Sequence, residues 1–115
     1  MQNPNVNSAA VADFSDCSGS DAASPAVGTA WGLSVHHELS LFVDKCGFTP
    51  VEALRSATSL PAERFNFSDR GHIKPGLRAD LLLVEGNPLQ DIDHTLDLRA
   101  VWKDGTLCSA YQSEL

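Results

Sequence analysis

No apolar run in this sequence approaches the roughly 20 residues that a helix needs to cross a bilayer, so a membrane span is not expected. Met1-Gln2-Asn3-Pro4-Asn5 carries neither the basic start nor the apolar centre of a secretory signal, and a cytoplasmic location is the expectation. Basic residues are few: 8 Lys and Arg stand against 15 Asp and Glu, a net charge of −7. Repulsion from phosphates therefore opposes nucleic acid as a partner. The cysteines are three, Cys17, Cys46 and Cys108, widely spaced and without a Cys-x-x-Cys pair. An odd, unpaired set argues against a disulfide framework and against a structural zinc site, leaving free or buried thiols. Gly19, Gly28 and Gly32 are irregularly spaced and no Gly-Lys-Ser/Thr follows, so a phosphate loop is unsupported. Ser18-Gly19-Ser20-Asp21 lacks the Gly-x-Ser-x-Gly frame of a nucleophile elbow. His36 and His37 are adjacent, about 100° apart on a helix, and His72 and His94 stand alone near turns; none of the four completes a metal motif.

What is present is enough for one modest core. A chain of 115 residues, 43% apolar and 20% charged, has the composition of a soluble domain and buries about two thirds of its unfolded surface. Residues 1 to about 30 are rich in Asn, Ser, Ala, Gly and Asp with no sustained period, which reads as loop. Val35, Leu39, Phe42, Val43 and Cys46 then recur at helical spacing, predicting a helix over 35–46 with Ser34 as cap and Gly47 as the left-handed residue that ends it. Thr49-Pro50-Val51-Glu52 supplies a capping box with proline at the first helical position, predicting a second helix over 50–58. Ser59-Leu60-Pro61 should break it, with a short third helix over 62–67.

After Asp69 the pattern becomes β. Pro75-Gly76 suits a type II turn, and Leu81 to Val84 is a continuous apolar run of the kind found in strands covered on both faces. A second strand is predicted over 98–103, an Asp104-Gly105 hairpin turn after it, and a return strand over 106–110.

The run from Gly71 to Pro88, followed by Val101-Trp102-Lys103-Asp104-Gly105, resembles the C-terminal end of metal-dependent amidohydrolases, where the chain leaves the barrel and returns to a small β-sandwich. Thr49-Pro50-Val51-Glu52-Ala53-Leu54 and Ala57-Thr58 with Pro61-Ala62 are similar to the helices that close the barrel, and Gly19-Ser20-Asp21-Ala22 to the end of its last strand. The resemblance covers residues 18–108 and is nearest to the imidazolonepropionase-like and prolidase-like members. It implies an α+β fragment: 1–17 poorly defined, 18–68 the end of a TIM barrel, and 69–115 strands of the accessory β-sandwich.

It implies chemistry as well. The family hydrolyses non-peptide carbon–nitrogen bonds, and its barrel-end aspartate lies by the metal and takes a proton from the hydrolytic water. Asp21 is the residue onto which that catalytic and metal-side role maps, and His37 is a candidate substrate contact. An aspartate capping a turn in a Ser/Gly-rich loop is the alternative for Asp21. Zinc or another divalent metal is implied for the full-length family. The remaining ligands belong to strands outside this sequence, so this chain alone is expected to bind no metal and to be inactive. The implied substrate is a small amide, lactam or dipeptide-like molecule. The rival reading is a non-catalytic module that pairs with a partner chain, or with itself, through open sheet edges.

Overall fold

The computed structural model describes Val27 and residues 32–112. Helix α1 spans Leu33–Cys46, α2 Pro50–Ala57 and α3 Ser59–Arg64, followed by strands β1 (Leu81–Val84), β2 (Leu98–Lys103) and β3 (Thr106–Leu107), with 3-10 turns at Ile92–Leu96 and Ser109–Tyr111. Helices and a small antiparallel sheet thus follow each other in the order the pattern predicts. The expected segment 1–17 and the barrel-end stretch Gly19-Ser20-Asp21-Ala22 lie outside the described residues.

Local signals act where they should. Gly47 takes the left-handed conformation at the end of α1. Phe48 N–H then donates to Phe42 O at 3.0 Å, closing the last turn. The Thr49 side chain accepts from Glu52 N–H while Thr49 N–H donates to Glu52 Oε2 at 2.7 Å, the reciprocal pair of a capping box. Two boundaries differ from expectation. The cap of α1 is Gly32 rather than Ser34, which lies inside the helix, and Gly32 makes no side-chain bond. Helix α3 begins at Ser59, because Pro61 falls in its first turn, where a missing N–H removes no intrahelical bond.

The sheet order is β1-β2-β3, with Leu81 opposite Trp102, Leu83 opposite Ala100 and a register irregularity between Leu83 and Val84. Asp104 and Gly105 both have positive φ, 50° and 78°, as a tight hairpin turn requires. The return strand is shorter than predicted: only Thr106–Leu107 pairs, and after Cys108 N–H bonds Val101 O the chain curls into the Ser109–Tyr111 turn. The expectation that β1 is covered on both faces is corrected. Leu82 is 60% exposed and Leu83 45%, since β1 is an edge strand with no layer over it among the described residues.

The core lies on the helical side, where Leu39, Phe48, Ala53 and Ile92 are buried together and Phe42, Val43, Leu54 and Ala57 pack around them. The Phe42 and Phe48 rings lie 4.9 Å apart in a tilted arrangement that adds to their burial. Replacing Thr49 by alanine removes both the acceptor for Glu52 N–H and the anchor for its carboxylate. The expected cost is about 1 kcal/mol, read as a lower denaturation midpoint with an unchanged slope; an unshifted midpoint contradicts the cap.

Candidate functional site

Five successive residues, Ile92 to Leu96, form a 3-10 turn that borders a groove against α1. Asp91 starts the turn by accepting a bond from Asp93 N–H at 3.0 Å. That bond frees the following side chains to reach in different directions. Ile92 enters the core. Asp93 accepts a short bond from Ser40 Oγ of α1. Thr95 is buried, its Oγ1 3.0 Å from His36 Nδ1.

His94 turns the other way. Its Nδ1 lies 3.1 Å from the N–H of Asn87, which donates to it. The ring sits so close to Gly86 that a β-carbon there would come within 2.7 Å of it, and Gly86 also has φ of +88°. Only glycine fits both demands without strain.

Between α1 and this turn lies a groove of about 550 Å³, with Leu33, His37, Leu41 and Asp44 along one helical stripe and Asp93 and Leu96 opposite. Its lining joins apolar leucines to two carboxylates and one imidazole. His37, the expected substrate contact, is exposed on this groove, while its neighbour His36 points to Thr95. The two adjacent histidines therefore serve different surfaces, as their angular separation implies. Asp21, the expected catalytic residue, lies outside the described residues.

A second polar cluster ties the loop before β1 to the hairpin. Arg78 Nε pairs with Asp80 at 2.9 Å, Asp104 N–H donates to Asp80 Oδ1 at 2.8 Å, and Arg78 N–H donates to Asp69 O. The Asp104 amide, and after it Arg78, hold the Asp80 carboxyl below its ordinary range. These groups are exposed, and their part is to fix a turn; Asp69, paired with Arg70, is held below its ordinary range in the same way. The bond between Asp80 and Asp104 joins residues 24 apart, beyond the reach of local sequence pattern.

Among the described residues the donor sets do not suit a catalytic metal. Among the described residues no three His, Cys, Asp or Glu side chains are grouped to hold an ion, whereas a catalytic zinc generally takes three protein ligands and an open position. Nor is any described helix long and apolar enough to cross a membrane.

With this geometry in view, comparison with known proteins is decisive for the family. Residues 4–108 match the amidohydrolase family, and the chain belongs to it. It is 41% identical over 71 residues to an imidazolonepropionase of Deinococcus deserti, covering 59% of this chain and 18% of that enzyme. Among solved structures it is similar to the Aspergillus niger ochratoxinase, at 32% identity and a TM-score of 0.58 over 64% of this chain and 18% of that one. A prolidase solved with N-methylphosphonate-L-proline is 37% identical, with a TM-score of 0.54 over 61% of this chain and 18% of that one. The chain therefore spans under a fifth of the length of these relatives.

Burial lowers the pKa of His36 below 6.5. The folded state thus favours the neutral ring, and this contribution is present above pH 6.5 and lost as pH falls from there through the lower folded value. A titration of the His36 ring by NMR should give a midpoint below 6.5; one above it contradicts the packing of α1 on the turn.

Proposed function

We propose that this chain is the C-terminal portion of a cytoplasmic amidohydrolase-type enzyme acting on non-peptide carbon–nitrogen bonds of a small amide, lactam or dipeptide-like substrate. In this reading residues 18–68 form the end of the catalytic barrel and residues 69–115 the strands of its accessory β-sandwich, with 1–17 leading in. The observation that carries it is the extent of the family match, residues 4–108, within relatives of which the chain spans 18%. The names of those relatives, imidazolonepropionase and prolidase, supply the substrate class.

Roles are carried over from the sequence resemblance. Asp21 accepts the proton of the attacking water, since water attacks an amide carbonyl far more readily when a carboxylate takes up its proton. His37, exposed at the head of the α1 groove, contacts substrate. Zinc or another divalent ion belongs to the full-length reading, but the described residues do not fit one, and no step here depends on it. By itself the chain is inactive, because one matched carboxylate does not make a hydrolytic site.

Grafting residues 18–108 into the corresponding place of the Deinococcus deserti enzyme tests this. The graft should hydrolyse that enzyme's substrate, the isolated chain should not, and Asp21→Asn in the graft should lower kcat on the order of 10²–10⁴-fold, the range of a general base. A folded graft without activity, or one indifferent to Asp21→Asn, contradicts the reading. So does an isolated chain that hydrolyses amides.

A further inference from the structure

Asp104 is the one Asp or Asn of the sequence that glycine follows. Such a pair is chemically labile, because the nitrogen of the second residue can reach the side-chain carboxyl carbon of the first and glycine has no β-carbon to hinder it. Ring closure joins Gly105 N to Asp104 Cγ. The hydroxyl of the protonated carboxyl leaves as water with the amide proton, and a cyclic imide remains. Water then adds to either imide carbonyl. Opening at the backbone carbonyl leaves Gly105 attached through the former side chain, an isoaspartyl link with one extra methylene in the main chain. Water is the only co-reactant, and the net composition is unchanged.

Sterics do not oppose this chemistry at the hairpin tip. The Asp104 side chain is 73% exposed, and Arg78 Nε stands 4.0 Å from it, too far for a hydrogen bond. A β-carbon placed on Gly105 would meet no atom within 4 Å beyond its neighbours in the chain. What restrains the pair is hydrogen bonding. Gly105 N–H, whose proton must leave, donates to Ala79 O at 2.9 Å, and Asp104 N–H donates to Asp80 Oδ1 at 2.8 Å. Arg78 Nε holds the same Asp80 carboxylate at 2.9 Å. The two backbone donors flank Asp104 on either side, so their bonds fix its left-handed conformation, φ 50°, and resist the rotation that brings Gly105 N onto Cγ. An L-residue leaves that conformation readily once released.

From these contacts we infer that Asp104-Gly105 is a site of spontaneous isoaspartate formation and that Asp80 is its guard. The Asp80 carboxylate and the Ala79 carbonyl hold the pair out of reach of ring closure, and isomerisation waits on local opening of the tip. The inference is independent of the hydrolase reading.

The product does not fit the turn that held its precursor. A two-residue hairpin turn fixes the pairing of Trp102 with Leu107 and Lys103 with Thr106, and an extra main-chain methylene breaks that register. The bond from Cys108 N–H to Val101 O is lost with it, and β3 is released. Modification thus removes the contacts that had prevented it.

Peptide mapping of the full chain after prolonged incubation in one mildly acidic buffer, with and without guanidinium chloride, tests this. Isoaspartate is read by electron-transfer fragmentation, which cleaves at the displaced methylene. In denaturant Asp104 should isomerise faster than any other aspartate of the chain, and in the folded chain at least tenfold more slowly than in denaturant. Asp80→Ala should raise the folded rate at least fivefold while the Ala100 amide in β2 keeps its exchange protection. Asp80→Asn, which retains an oxygen to accept from Asp104 N–H, should stay within twofold of the parent. The separated isoaspartyl form should lose exchange protection at Cys108 N–H. Equal rates with and without denaturant overturn the inference, as does faster isomerisation at another aspartate. A folded Asp80→Ala chain that isomerises at the parent rate overturns the role of Asp80. Should Asp80→Ala unfold β2 as well, the parent chain decides: urea below the unfolding midpoint should speed Gly105 amide exchange and Asp104 isomerisation in proportion, and isomerisation that ignores Gly105 exchange contradicts the guard.

Discussion

The turn from Ile92 to Leu96 is the joint on which the described structure depends. Within five residues it places Ile92, only 4% exposed, among Leu39, Phe48 and Ala53 of the helical side, bonds Asp93 to Ser40 and Thr95 to His36, and presses the His94 ring against Gly86 just after β1. The burial of Ile92 and the bonds of Asp93 and Thr95 all reach the helices, while His94 turns to the end of β1, so among the described residues one short segment joins helices and sheet. Buried Thr95 would be costly without its partner, and His36 supplies it.

From that joint the open surfaces follow. Helix α1 is anchored along one stripe, which leaves the adjoining stripe of Leu33, His37, Leu41 and Asp44 facing the groove. Strand β1 is held on one edge by β2 and, among the described residues, has no strand on the other. Both surfaces suit a chain that belongs to the amidohydrolase family and spans under a fifth of its relatives.

The parts legible in the sequence are those governed by neighbours in the chain. The capping box at Thr49 and Glu52 closes over three residues, and the Asp104-Gly105 turn is fixed by two, so propensity alone placed them. The joint at Ile92–Leu96 was not legible. Asp-Ile-Asp-His-Thr has no helical or strand period, and its partners Ser40 and His36 lie 53 and 59 residues away. Leu81 to Val84 is a strand, as its apolar run predicts, but the exposure of Leu82 and Leu83 corrects the expectation that both its faces are covered. Of the site, His37 was singled out and lies on the groove, whereas Asp21 was named through resemblance and falls outside the described residues. Resemblance reaches a residue whose local sequence, a Ser/Gly-rich loop, carries little structural signal.

The central claim is that the Ile92–Leu96 turn couples the helices to the sheet, and replacing Ile92, which seats the turn in the helical core, by alanine tests this most directly. Truncating a buried isoleucine should cost about 2–5 kcal/mol, and amide signals of Leu39 in α1 and Ala100 in β2 should lose protection together at the same lowered denaturant concentration. If α1 melts early while Ala100 keeps its original midpoint, or if neither moves, helices and sheet are held by something else and the account is wrong.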